Sequence, residues 1–149
     1  MRYLLLCAAL VALCGCGKHE DEDLAGLEVR EVTLPNGKKV RAEVAIRTFE
    51  MQRGLMYRDS LAADRGMLFI HEKPGIYTYW MYQVRIPLDI IWMDSNRRVV
   101  EIAARAEPCK TRASECPTYG GHSRAQFVLE LAGGQAAANA IQVGSTIRF

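Results

Sequence analysis

The chain has 149 residues, of which 50% are hydrophobic and 24% are charged, so its composition predicts a packed core rather than disorder. Its 19 basic and 17 acidic side chains leave a formal charge of only +2, which gives no electrostatic case for binding nucleic acid. No apolar run reaches the roughly 20 residues that a transmembrane helix needs.

The first sixteen residues, MRYLLLCAALVALCGC, have the pattern of a bacterial lipoprotein signal. A positive start at Arg2 precedes an apolar run over residues 3–13, and Leu13-Cys14-Gly15-Cys16 resembles a lipobox. We therefore expect residues 1–15 to be a signal peptide and Cys16 to carry the lipid. The mature chain would then face the periplasm or the cell exterior, held to the membrane through this lipid anchor.

Residues 16–26 are charged and lack periodicity, which indicates a flexible tether spanning roughly 15–20 Å. Gly17 is not the Asp that resembles an inner-membrane retention signal, so the sequence leans towards the outer membrane. The remaining residues, 27–149, are expected to form a single domain.

Cys109 and Cys116 are the cysteines that remain in the domain, an even pair in an oxidising compartment. The polar segment between them can turn back on itself, so we predict a disulfide worth roughly 2–3 kcal/mol. Two free thiols and a redox or metal-binding pair are the alternatives, although the spacing is not that of a C-x-x-C motif.

From Leu27 onwards apolar residues recur with period two, which is typical of strands. Strands are predicted over residues 27–34, 40–47, 66–71, 76–84, 88–93, 98–106, 125–131 and 146–149, with a long loop over 107–124. The first two should pair as a hairpin across Pro35-Asn36-Gly37. Short helices are predicted after Thr48, which can cap the first, and over 135–141. These elements indicate an α+β, mostly β fold: a mostly antiparallel sheet curled into a barrel or sandwich, with two short helices.

An ordered set of motifs resembles DUF192, a family of uncharacterised domains, over about residues 40–149. The motifs are Arg53-Gly54-Leu55-Met56-Tyr57-Arg58, Gly66-Met67-Leu68-Phe69, Trp80-Met81, Ile86-Pro87-Leu88-Asp89-Ile90-Ile91, Val128-Leu129-Glu130-Leu131-Ala132-Gly133 and Gly144. The family pattern has Asn-Thr where this chain has Gln83-Val84, so a site that used this pair is altered here. The resemblance implies a small, often exported β-rich domain and transfers no catalytic residue.

Asp89 is an acidic residue in an otherwise apolar strand, where an unpartnered carboxylate would cost several kcal/mol. The structural interpretation is an ion pair, or acceptance of backbone N–H groups at a bend near Pro87. The candidate cationic partners are Arg53, Arg58 and Arg85. The functional interpretation is a general base or a ligand contact in a pocket.

Aromatic residues concentrate on both faces of the predicted strand 76–84. Tyr77, Tyr79 and Met81 share one face, and Trp80 and Tyr82 share the other. One face can therefore line a groove for a peptide, sugar or lipid, because Trp and Tyr combine apolar area with a polar tip. The alternative is a wide core with amphipathic aromatics at its rim.

Metal and nucleophile signals are weak. Scattered methionines with His71 or His122 could hold Cu(I), but no M-x-x-M run is present, and the two histidines lack a third partner for zinc. No serine has a G-x-S-x-G setting. Glu130 shares its face with Gln126 and Val128 and is expected to be solvated. We predict no metal and no cofactor.

The sequence therefore predicts an envelope lipoprotein whose domain binds a small ligand, a cell-wall fragment or an envelope partner. Trp80 and Tyr82 would stack on the ligand, with Arg58 and Asp89 as polar anchors and Arg53 beside them. One alternative is an envelope hydrolase with Asp89 as general base, and another is a structural or assembly protein.

Overall fold

The computed structural model describes residues 26–149, so the predicted signal peptide, the lipidation site at Cys16 and nearly all of the predicted tether lie outside the described residues. The strands are β1 (Val29–Thr33), β2 (Lys39–Ala45), β3 (Arg65–Gly75), β4 (Thr78–Trp80), β5 (Leu88–Met93), β6 (Val99–Ala106), β7 (Thr118–Gly120) and β8 (Ala125–Ala132). The α-helices are α1 (Thr48–Arg53) and α2 (Gln135–Ala138), and a 3-10 turn spans Ala113–Glu115.

Six strands form one sheet in the order β1-β2-β3-β8-β5-β6, while β4 and β7 form a two-stranded ribbon. The predicted hairpin of β1 and β2 is confirmed. β2 and β3 pair in parallel because the chain between them crosses over through α1, whereas the other pairs of this sheet are antiparallel, so the sheet is mixed but mostly antiparallel, as predicted. The sheet is open and sandwich-like, which confirms the mostly β class but makes the barrel alternative wrong.

Several predicted elements differ from those observed. The strand predicted over 76–84 is reduced to β4, because the backbone turns at Gln83, which has a φ of +58°. The segment 146–149 makes isolated bridges to Thr33 and Arg98 instead of a strand, and α2 ends three residues before position 141. The predicted loop 107–124 contains β7, which is too short to produce a periodic signal.

The start of α1 also differs from the prediction. Arg47, not Thr48, occupies the cap position, and the Glu50 carboxylate accepts the backbone N–H groups of Ile46 and Arg47. The pKa of Glu50 is lowered to about 2. The main cause is the side-chain hydrogen bond from Arg47, and the two backbone hydrogen bonds come next.

Both faces of the six-stranded sheet are covered. One face packs a cluster that includes Leu68, Ile91 and Leu129 against Ile141 and Ile147. The opposite face packs a second cluster from Met67, Phe69, Ile90 and Trp92 against Leu55 and Met81, among others. All six residues of β5 are consequently buried, as expected for a central strand.

Gly120, in the ribbon strand β7, lies so close to the Trp92 ring that no side chain fits there. A Cβ atom at this position would lie 2.3 Å from Trp92 Cζ2, and the φ of +78° is in the left-handed region. Glycine is thus required where the ribbon crosses the Trp92 ring. The disulfide predicted between Cys109 and Cys116 is confirmed, with the sulfurs 2.04 Å apart.

Asp89 binds backbone amides rather than any of the three arginines proposed as its partners. Its Oδ1 accepts the N–H of Arg105 at 2.8 Å, and its Oδ2 accepts the N–H of Ala136 at 2.6 Å. Arg105 has a φ of +50° and lies where the register between β5 and β6 shifts. The carboxylate therefore satisfies the amide that this bulge removes from the ladder, and it also caps the first turn of α2.

Replacement of Asp89 by Asn should destabilise the domain by about 2–4 kcal/mol, because the amide cannot accept at both positions and leaves a buried N–H unsatisfied. Asp94→Asn is the matched control. A single oxygen of Asp94 accepts both the Asn96 and Arg98 amides, so an Asn side chain retains both bonds. Urea unfolding should show a loss below about 1 kcal/mol for this control. Equal losses in the two variants would contradict the assignment.

Candidate binding cleft

The ribbon strand β4 and the residues after it separate the aromatic side chains by face. Tyr79 and Met81 point into the core, where the Tyr79 ring makes edge contacts with Phe69 and Trp92. Trp80 is 40% exposed, and its ring centroid lies 5.3 Å from that of Tyr82. The structure thus brings together two of the predicted site residues as an outward-facing aromatic pair.

A cleft of about 400 Å³ begins beside this pair. It is lined by Tyr82, Gln83, Val84, Arg85, Pro108, Cys109, Lys110 and Thr111. Two chain segments form its walls, and they are joined where the Cys109 N–H donates to the Met81 carbonyl at 3.1 Å. The disulfide to Cys116 ties down the second wall.

The cleft has a cationic character. Arg85 and Lys110 line it from opposite walls, and none of its lining residues is acidic. Arg85 Nη1 lies 2.8 Å from Asp59 Oδ1, and both side chains are exposed, at 52% and 80%. The Arg85 guanidinium also lies 6.0 Å from the ring centroid of Tyr57, whose N–H donates to the Gln83 carbonyl at 2.9 Å. The segment around residue 57 therefore supports one wall.

Arg58, predicted as a polar anchor for ligand, is directed into the sheet. Its Nη1 and Nη2 each lie 2.6 Å from one oxygen of Glu43, a two-bond pair with little solvent access. Glu43 is opposite Met67 on the next strand, and Met67 is opposite Glu130 on the strand after that. These side chains therefore share one face of the sheet, with Arg58 above it.

Glu130 is buried, so the prediction that it is solvated was wrong. The face that it shares with Val128 is covered by the core cluster around Leu55 and Met81. Burial raises the pKa of Glu130 to about 8, while the nearby charge of Arg58 acts in the opposite direction. At neutral pH this carboxyl group mostly carries a proton.

Tyr79, His71 and Tyr77 form a polar cluster close enough to Glu130 for its charge to affect the Tyr79 hydroxyl. Burial, followed by the charges of Glu130 and Tyr77, raises the pKa of Tyr79 well above its usual range. The Tyr79 hydroxyl lies 3.1 Å from His71 Nε2, and Tyr77 stacks on the His71 ring with centroids 3.5 Å apart. Burial lowers the pKa of His71, so the imidazole is neutral at physiological pH.

Besides Arg58, two predicted site residues are absent from the cleft lining. Arg53 is the last residue of α1 and is exposed, and Asp89 lies on the opposite face of the sheet, under α2. Sequence reasoning missed Arg85 and Lys110 as cleft residues. The available signal was the departure from the family pattern at Gln83-Val84, which falls within the first wall.

A second concave region of about 270 Å³ lies between Leu27, Val44 and Ile46 on the side of α1, next to the start of the described residues. Within residues 26–149, no group of three or more His, Cys, Asp or Glu side chains could hold a metal ion. His122 instead bonds Glu101, with Nδ1 2.6 Å from Oε1. In the same part of the chain, no helix has the length and apolar character needed to cross a membrane.

Comparison with known proteins identifies a family and two similar solved structures. The family model of DUF192, described as "Uncharacterized ACR", matches residues 31–149. A crystal structure from Novosphingobium aromaticivorans, of a protein of unknown function, is similar at 34% identity and a TM-score of 0.76, covering 85% of this chain and 89% of that one. No curated protein matches the chain.

A second solved structure, from Sinorhizobium meliloti, has a TM-score of 0.73 at 24% identity and covers 82% of this chain and 94% of that one. A role in transcription regulation has been suggested for that protein. At this level of identity, the similarity shows a shared fold and nothing more about activity.

The raised pKa of Glu130 predicts that stability falls with rising pH. Unfolding returns the carboxyl group to a pKa near 4.5, so between pH 4.5 and 8 the folded state holds a proton that the unfolded state has lost. Between pH 6.5 and 9 the unfolding free energy should fall by about 2 kcal/mol, since one proton corresponds to about 1.4 kcal/mol per pH unit. His71 acts in the opposite direction and only near the lower limit of this range, because burial lowers its pKa below the unfolded value of 6.5.

Urea unfolding of Glu130→Gln over the same pH range should remove this decrease, because the amide does not titrate. Glu72→Gln, which removes an exposed carboxylate on the neighbouring strand β3, is the control and should keep the wild-type pH dependence. A decrease that persists in Glu130→Gln would assign the pH dependence to another group.

Proposed function

This chain belongs to the DUF192 family, and we propose that it is an envelope lipoprotein whose single domain, residues 27–149, binds a small ligand in the cleft beside Tyr82. The main support for this proposal is the exposed Trp80–Tyr82 pair, which lies beside a concave, cationic surface. The core accounts for Tyr79 and Met81 on the inner face but leaves the outer pair without a packing role. Exposed aromatic area next to a cleft is typical of recognition sites.

The envelope location rests on the lipobox-like sequence that ends at Cys16 and on the disulfide between Cys109 and Cys116. Disulfides persist in oxidising compartments and are rare in the cytosol. A lipid on Cys16 and the tether after it would hold the domain close to a membrane, with the outer membrane favoured. There the cleft would meet wall fragments, small solutes or another envelope protein.

The geometry favours binding over hydrolysis by Asp89. A general base must come within hydrogen-bond reach of its substrate, directly or through one water. Asp89 is fully buried, and both of its oxygens already accept backbone N–H groups. A purely structural role would predict a flat apolar patch, and the cleft between the two walls does not have that shape.

Trp80→Ala should weaken binding about tenfold or more, because aromatic anchors at a binding site commonly contribute over 1 kcal/mol. The ligand source is a muramidase digest of the bacterial cell wall, and binding to the full chain is measured by isothermal titration calorimetry. Phe49→Ala is the matched control: this aromatic side chain is 59% exposed but lies outside the cleft lining. Unchanged binding in a folded Trp80→Ala variant would exclude the proposed site.

Lipidation is tested separately by intact-mass spectrometry of the protein from its native cell. We expect a chain that begins at Cys16 and carries acyl groups, and a Cys16→Ser variant that lacks them. Detection of residues 1–15 still attached, or of a free thiol at Cys16, would refute the envelope assignment.

A further inference from the structure

We infer that the cleft selects an acidic saccharide, a sugar ring carrying a carboxylate or phosphate, and that Asp59 competes with this anion for Arg85. The inference rests on the proposed function and names the ligand class of that site. Three features of the structure support it: the positive charge of the cleft, the solvent exposure of the ion pair between Arg85 and Asp59, and the polar groups beside the aromatic pair.

The charge of the cleft favours an anion. Arg85 and Lys110 approach it from opposite walls, and its lining contains no carboxylate to neutralise them. An anionic group between these walls would meet a guanidinium, which binds carboxylate or phosphate with two parallel hydrogen bonds, and an ammonium, which acts as a point charge. A ligand without an anionic group would leave Arg85 paired with Asp59 and would offer no anion to Lys110 on the other wall.

The ion pair between Arg85 and Asp59 can open to admit such a ligand. It is a contact of 2.8 Å between side chains that are 52% and 80% exposed, and pairs of this kind contribute little to stability. The pair of Arg58 and Glu43 is the opposite case, with two bonds of 2.6 Å and little access to solvent. The first pair can exchange partners, while the second fixes the fold.

The remaining groups match a sugar ring. Tyr82 lines the cleft and Trp80 extends the aromatic surface beyond its edge, which offers two ring faces for the C–H side of a saccharide. Gln83 and Thr111 lie on the two walls and supply an amide and a hydroxyl for the polar substituents of the ring.

Three sugars that differ by one group provide the probes: neutral N-acetylglucosamine, N-acetylmuramic acid with a carboxylate, and N-acetylglucosamine 6-phosphate. Binding to the full chain is followed by tryptophan fluorescence. The chain has two tryptophans, exposed Trp80 and fully buried Trp92, so a change lost in Trp80→Phe reports on the cleft. We expect the acidic sugars to bind at least about tenfold more tightly than the neutral sugar, as for other charge-assisted contacts. The stronger acidic probe then identifies a wall-derived carboxylate or a sugar phosphate.

Two variants test the roles of the ion pair. Arg85→Gln should remove the preference for the acidic sugars, measured as the ratio of their affinities to that of the neutral sugar in the same variant. Asp59→Asn should tighten acidic binding roughly two- to fivefold, as expected when a competing exposed pair is removed. Arg41→Gln removes an exposed cation of β2 outside the cleft and should change neither affinity.

Equal affinity for all three sugars, with weaker binding of each in Trp80→Ala, would overturn the acidic selectivity and leave the binding function intact. Absence of a fluorescence change with every sugar would overturn the saccharide assignment. The wall-digest titration of wild type and Trp80→Ala would then decide the proposed function independently. An Arg85→Gln variant that keeps the acidic preference would exclude Arg85 as the anion-binding side chain.

Discussion

A buried ion pair between Arg58 and Glu43 sets the arrangement of the cleft. Arg58 belongs to the irregular segment after α1, and Glu43 lies on β2 within the six-stranded sheet. A buried carboxylate without its partner is strongly destabilising, so the sheet holds Arg58 in one position. The fixed position of Arg58 also positions its two neighbours in the chain. The Tyr57 N–H donates to the Gln83 carbonyl, and the Asp59 carboxylate accepts a hydrogen bond from Arg85.

The same arginine explains how a second carboxyl group is tolerated nearby. Glu130 lies on the face of the sheet that carries Glu43, separated from it by the strand of Met67. Two buried carboxylates beside one guanidinium would leave excess negative charge, and burial resolves this by raising the pKa of Glu130 to about 8. A neutral Glu130 adds no second negative charge beside the pair of Arg58 and Glu43.

Local sequence patterns predict the structural features that depend on residues close together in the sequence. The alternation in β1 and β2 gave the hairpin, the apolar run of β5 gave a fully buried strand, and the polar spacer between Cys109 and Cys116 gave the disulfide. The acidic side chain of Asp89 in an apolar strand is an anomaly visible in the sequence, and backbone N–H groups are among its predicted partners. Its actual donors, at Arg105 and Ala136, lie far along the chain and have no sequence signal.

The features that were missed depend on tertiary contacts. Alternation assigned Glu130 to solvent because it assumes that one face of a sheet is wet, whereas this sheet is covered on both faces. The cleft joins walls about 25 residues apart in sequence, brought together by a hydrogen bond from Cys109 to Met81. The parallel pairing of β2 and β3 follows from the crossover through α1, which strand periodicity does not encode.

Hydrogen exchange at the Tyr57 amide in an Arg58→Lys variant tests most directly whether the buried pair positions the cleft wall. Lysine keeps the charge but loses the two-bond geometry, so the variant should fold. We predict that the Tyr57 amide, bonded to the Gln83 carbonyl, exchanges about tenfold faster or more, as for a local opening made easier by about 1.4 kcal/mol. The amides of β5 should stay protected. Unchanged exchange at Tyr57 would contradict the account.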